Sequence, residues 1–150
     1  MDEGMVDIQL INDNLLSVLH WKARESERRR MHLDLRTTAR DTSQRMLNAL
    51  EPGTEVPIHR HLQTSETVVC LEGCLDEVFY EELPNTDAGG PVLKDNETAA
   101  DGSCFTEVAR YRLCPRDGKY GIQVPQGVWH TVEVHEPSVI LEAKDGAYKG

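Results

Sequence analysis

Apolar residues recur every four positions near the start of the chain and every two positions over most of the rest. Ile11, Leu15, Leu19 and Ala23 are spaced by four, with Leu16 and Val18 beside them, and predict an amphipathic helix from about Asn12 to Arg28. Asn12 or Asp13 can cap its start. Arg28, Arg29 and Arg30 complement the negative end of the helix dipole or, read otherwise, form an anion-binding patch. From Met31 the period changes. "MHLDLR" sets Met31, Leu33 and Leu35 on one face and His32, Asp34 and Arg36 on the other, as in a strand. "QRMLNAL" is a second strand, closed by the turn "EPG".

"ETVVCLEGCLDEVFYEEL" contains two β-rich runs, and Glu72-Gly73 between them predicts a tight hairpin. The stretch 84–103, rich in Gly, Pro, Asp and Asn, is expected to be a long loop or a weak hairpin inserted in the fold. "CFTEVARYRL", "KYGIQV", "VWHTVEV" and "SVILEAKD" read as further strands, separated by "CPRDG", "PQG" and the segment around Pro137. Many short strands behind one helix predict an all-β barrel or sandwich. The expected organisation is a helical segment over 1–30 packed on a barrel over 31–150.

The chain has 150 residues, enough for one compact domain and too few for two. The net charge of −10 repels phosphate backbones, which argues against general nucleic-acid binding. The acidic start "MDEGMVDIQL" and the lack of any apolar run near 18 residues give no secretion or membrane signal, so a cytoplasmic protein is expected. Cys70, Cys74, Cys104 and Cys114 form no CxxC pair and are expected to be reduced thiols.

The chemistry concentrates in "GTEVPIHRHLQTSETVVCLEG", from Gly53 to Gly73. Residues two apart on a strand point to the same face, so His59 and His61 project together and Arg60 points away. Glu66 follows a short turn, where an antiparallel neighbour can bring its carboxylate beside the imidazoles. His130, in "PQGVWH", is the candidate fourth donor from a distant strand. Such a set suits a metal, because several donors converge on one point from a rigid scaffold. The alternative is a pair of solvated turn histidines. His135, before Pro137, reads as a surface residue.

These residues carry a resemblance. The spacing Gly-x5-His-x-His-x4-Glu-x6-Gly, from Gly53 to Gly73, is that of the first cupin motif. Pro125, Gly127 and His130 resemble the second, Gly-x5-Pro-x-Gly-x2-His-x3-Asn, although the leading Gly is displaced to Gly118 and the final Asn is Val134. "QRMLNALEPGTEVPIHRH" and "LEAKDGAY" resemble the WbuC group of cupin metalloproteins, which also place a helical segment before the barrel. The resemblance implies a cupin double-stranded β-helix, a jelly-roll-like barrel with a helical N-terminal segment. It implies one divalent ion, Fe, Mn, Ni, Co or Zn, held by His59, His61, Glu66 and His130. It also suggests a link to surface-polysaccharide biosynthesis.

Three imidazoles and a carboxylate leave open positions on an octahedral ion, which favours catalysis or ligand binding over a closed structural site. The first expectation is a metal-dependent isomerase or epimerase acting on a sugar or sugar derivative. Glu66 and Glu142 are the candidate bases, and Arg45 is a candidate for binding an anionic substrate group or, equally, an outward strand arginine. The alternatives are an Fe(II)-dependent oxygenase and a non-catalytic sugar-binding cupin. A small polar, anionic, carbohydrate-like ligand fits a chain with only two Trp, two Phe and four Tyr. A homodimer is expected, with "MHLDL" pairing or packing across a two-fold axis.

Overall fold

The computed structural model describes residues 8–83, 97–98 and 104–146. Its elements, in chain order, are α1 (Asp13–Glu25), β1 (Arg30–Asp34), β2 (Ser43–Leu50), β3 (His59–Arg60), β4 (Glu66–Glu82), β5 (Glu97–Thr98), β6 (Phe105–Leu113), β7 (Gly121–Val124) and β8 (Trp129–Asp145), with a 3-10 turn at Pro115–Asp117. The predicted all-β fold with a helical N-terminal segment is the observed one. The insertion expected at 84–103 falls, but for the pair 97–98, outside the described residues.

The helix begins where capping chemistry predicts, with Asn12 Oδ1 accepting from the Leu15 amide. It ends three residues before the predicted Arg28, because Ser26 turns to extended backbone (ψ 137°) and its amide donates to the Ala23 carbonyl. Lys22 and Arg24 therefore complement the dipole in the last turn. Arg28–Arg30 lie beyond the helix: Arg29 sits at φ 59° near the buried Glu51, and Arg30 Nη1 donates to the Glu55 carbonyl at 2.7 Å.

β4 and β8 run antiparallel along their whole lengths and tie two halves of the sheet together. In one half the order is β1, β2, the end of β8, the start of β4, and β7. In the other it is β5, β3, the start of β8, the end of β4, and β6. The hairpin predicted at Glu72-Gly73 is not there, nor is a break at Pro137; each pair of expected strands is one strand of 17 residues. The register shifts between Cys70 and Leu75, so Gly73 and Pro137 mark the bend where both strands pass from one half to the other.

Bending the paired strands encloses a core of Leu50, Val68, Cys70, Leu75, Phe79, Val124, Val134 and Ile140. A second cluster lies outside the barrel, where Leu16, Leu19 and Ala23 of α1 cover Leu47, Ala49 and Val139. The helix thus buries the outer face of β2 and β8 and leaves the inner face to the site. Cys70, Cys74 and Cys114 are buried free thiols, while Cys104 is an exposed one. Among the described residues, no helix is long and apolar enough to cross a membrane.

Candidate metal centre

β3 is two residues long, and its one register partner on β8 sets His59 opposite His130. The ring centroids of that pair are 4.3 Å apart, and His61 lies 5.3 Å from His59 and 5.6 Å from His130. One ring nitrogen from each of the three falls within 4.8 Å of the others, so the three imidazoles can hold a metal ion. Glu66 opens β4 from the other half of the barrel. Its carboxylate lies 3.5 Å from His61 Nε2 and 3.8 Å from His130 Nε2. The "PQG" turn locks the first motif in place: the Gly127 amide donates to the His61 carbonyl at 2.7 Å, and Gln126 Nε2 donates to the Leu62 carbonyl.

Two rings are oriented by their far nitrogens. His59 Nδ1 lies 2.9 Å from the Pro57 carbonyl, and His130 Nδ1 lies 2.8 Å from the Val128 carbonyl. A carbonyl only accepts, so each Nδ1 carries the proton and each Nε2 offers a lone pair to the centre. His130 Nε2 is buried and has no hydrogen-bond partner among the described residues. Leaving such an atom unpaired costs about 1–3 kcal/mol, and a cation at the centre removes that cost. The residues present therefore fit a divalent ion.

Burial, then the neighbouring His130, push the His59 pKa down to about 4 against a smaller lift from the Pro57 carbonyl. For Glu66, burial pushes upward, but the neighbouring His130 and His61 outweigh it, and the carboxyl titrates below its ordinary value. At neutral pH His59 is therefore a neutral imidazole and Glu66 a carboxylate, the protonation states a cation requires.

Glu142, one of the sequence candidates, lies on β8 in the same interior, and Asn48 Nδ2 donates to its Oε1 at 3.2 Å. Burial and then the Glu66 charge raise its pKa to about 8, against the opposing Asn48 hydrogen bond. Glu77 of β4 is a group that the sequence reading does not single out. It is 2% exposed, and burial followed by the charges of Glu66 and Glu142 lifts its pKa well above the ordinary carboxylate range. The structure does not bring Arg45 to these groups. It alternates with the buried Gln44 and Met46, is exposed on β2, and its guanidinium is held by Asp41 and the Ser43 carbonyl. His135 is exposed, as expected, and its Nε2 lies 2.9 Å from Oδ2 of the buried Asp76.

These shifts give the metal-free protein two opposed pH dependences. His59 is lowered, so its contribution is present above the unfolded value of 6.5 and is lost as pH falls toward about 4, a loss of about 3 kcal/mol at 1.36 kcal/mol per unit. Glu142 is raised, so its contribution is present below the unfolded value of 4.5 and is lost as pH rises through about 8. Denaturant titrations of chelator-treated protein should therefore peak in stability between these limits, and Glu142→Gln should lessen the alkaline loss, which Glu77 shares, while leaving the acid side unchanged. A wild-type profile that stays level up to pH 9 would contradict the placement of Glu142.

A family model described as a domain of unknown function (DUF6016) matches residues 11–88. No curated protein matches this chain significantly. Among solved structures, Escherichia coli ycfD is similar with a TM-score of 0.52 and 17% identity, over 91% of this chain and 31% of its own. TT1209 from Thermus thermophilus scores 0.51 at 18% identity, over 92% of this chain and 98% of its own. The capsular polysaccharide assembling protein CapF from Staphylococcus aureus scores 0.50 at 16% identity, over 83% of this chain and 30% of its own. The chain thus spans about a third of the length of ycfD and CapF. At these identities the likeness is one of fold.

Proposed function

From the premise that the chain belongs to the family described as a domain of unknown function (DUF6016) and has the cupin fold, we propose that it is a WbuC-like, metal-dependent enzyme acting on a sugar or sugar derivative, of isomerase or epimerase type, in surface-polysaccharide biosynthesis. The observation that carries this reading is the convergence of His59, His61 and His130 beside Glu66, with two interior carboxyls, Glu77 and Glu142, next to them. The four side chains would hold one divalent ion, Fe, Mn, Ni, Co or Zn. Bound there, such an ion supplies Lewis acidity toward an oxygen of the substrate.

The rest falls to the chain's own groups. His59 and His130 are oriented by the Pro57 and Val128 carbonyls, so two of the imidazoles are held with Nε2 toward the centre. Glu142 keeps its proton at neutral pH while standing within electrostatic reach of Glu66. Isomerisation needs a base that takes a proton from carbon and returns it, and a carboxyl titrating near 8 is ionised in a minor fraction at neutral pH and is then strongly basic for a carboxylate. The likeness to the fold of a capsular polysaccharide assembling protein supports the choice of a carbohydrate-like, polar ligand. A cytoplasmic setting belongs to the same proposal.

The test is to load the protein with each metal and incubate it with sugar phosphates and sugar acids in deuterated water. Carbon-bound deuterium appearing only in metal-loaded protein, and lost in Glu142→Gln, is expected. Exchange that is independent of metal, or tight sugar binding with no exchange under any loading, would overturn the enzymatic reading. We also propose a homodimer through β1, which is the edge of its half-sheet and, among the described residues, pairs on one side only. Light scattering at micromolar concentration should give twice the chain mass, and a monomer would end that proposal.

A further inference from the structure

The inner faces of β2, β4 and β8 carry a polar layer next to the histidines. On β2, Gln44, Met46 and Asn48 alternate onto one face; Gln44 lies opposite Lys144, and Met46 opposite Glu142. On β4, Glu77 lies opposite Val132, two residues along β8 from His130. Glu77 Oε2, Asn48 Oδ1 and Gln44 Oε1 are all buried with no hydrogen-bond partner among the described residues. Buried polar atoms in native proteins are almost always paired. Three unpaired ones in one barrel interior mean that their partners come from something that enters it. A purely structural polar layer would pair with itself, and here one internal bond, Asn48 Nδ2 to Glu142 Oε1, is made. Val68, Cys70, Leu75 and Ile140 make the adjoining part of the interior apolar.

We propose that this layer is a binding subsite for the hydroxyl groups of a polyhydroxylated ligand, formed by Asn48, Glu77 and Glu142 with Gln44 beside them. It rests on the carbohydrate reading above and adds the residues that read the ligand. All three unpaired atoms are oxygens; the two amide oxygens require donors, and the neutral Glu77 carboxyl can both donate and accept. A hydroxyl donates to an amide or carboxyl oxygen and accepts the proton of a neutral acid. Burial, above all, keeps Glu77 and Glu142 in that neutral form, so the layer has no anion to match an ammonium group. An alkyl chain would leave every oxygen unpaired. The subsite therefore selects hydroxylated over deoxygenated ligands, since a site built for hydroxyls rejects an analogue that lacks them.

The experiment is calorimetry on manganese-loaded protein with D-gluconate and D-glucuronate, against hexanoate as the deoxygenated acid. The hydroxylated acids should bind at least tenfold more tightly than hexanoate. Glu77→Met and Asn48→Leu should each erase that preference with manganese content unchanged, and Glu77→Gln, which keeps the shape and an acceptor, should retain it. Glu77→Met should also melt at a higher temperature without ligand, because an unpaired buried carboxyl has gone. If both apolar variants keep the wild-type preference, water serves these oxygens and the subsite is overturned while the carbohydrate reading stands. If affinity falls only in step with manganese content, Glu77 supports the metal centre and the subsite is again overturned. If neither hydroxylated acid binds wild-type protein, the carbohydrate reading falls and takes the subsite with it.

Discussion

His130→Ala combined with His59→Ala is expected to abolish metal loading and leave a folded barrel. The two residues face each other across β3 and β8 and supply two of the three converging ring nitrogens. His130 Nε2 has no hydrogen-bond partner among the described residues, so removing the ring gives up the Nδ1 bond to Val128 and some packing against Phe79, 6.1 Å away between centroids. The larger loss is linkage. A metal that binds the native state alone adds RT ln(1 + [L]/Kd), about 2.7 kcal/mol at one hundred times Kd. Chelator should therefore lower the melting temperature of wild-type protein and leave the double variant unmoved. Elemental analysis on protein purified without added metal gives the direct readout. Full occupancy in the double variant would place the metal elsewhere in the chain.

The candidate ligand residues are legible in the sequence because their placement depends on the shortest-range rule a strand obeys. His59 and His61 share a face by alternation, and their spacing to Glu66 and to the flanking glycines adds a pattern that few other chemistries require. The helix start is legible for a similar reason, since Asn12 acts within three residues. What the sequence misplaces depends on distance along the sheet. Gly73 and Pro137 are turn residues by composition, and each reads as the end of a strand. In the structure they are the bend of two long strands, a role that only the partner strand reveals.

The same bend explains why Glu77 escapes notice. Before it, the inward residues of β4 are Glu66, Val68 and Cys70; after it they are Leu75, Glu77 and Phe79. The inward parity changes from even to odd across the shifted register between Cys70 and Leu75. Counting by twos from Glu66 therefore puts Glu77 on the wrong face. Arg45 shows the converse limit. Its charge suggests an anion site, but its parity on β2, opposite to Gln44 and Met46, turns it away from the interior.

Gly73→Ala is expected to be the most destabilising single substitution outside the metal centre, and Gly73→Val to prevent folding. The residue sits at φ 101°, where a side chain is strained regardless of space. Space is also absent. A Cβ there would lie 2.5 Å from the Pro137 carbonyl oxygen and 2.6 Å from Ser138 Cα, and would meet Ser138 Oγ as well. Two of those three atoms are backbone and cannot swing aside. Ser138 is itself fixed, its hydroxyl accepting from the Cys74 amide at 3.1 Å and donating to the Glu136 carbonyl at 2.7 Å. Relief requires β4 and β8 to separate at the bend, where one runs into the half carrying Glu66 and the other into the half carrying His130. The cost should exceed about 3 kcal/mol, beyond the usual range for a point substitution. Metal affinity should fall with it, because the bend sets how the two halves face each other. Gly53→Ala is the control: it shares a positive φ, 89°, but its Cβ would meet nothing within 4 Å. It should cost about 1 kcal/mol and leave metal content unchanged. Denaturant midpoints and metal analysis on the two variants make the comparison. Equal effects at both positions would show that backbone conformation alone, and not the closeness of the two strands, makes Gly73 necessary.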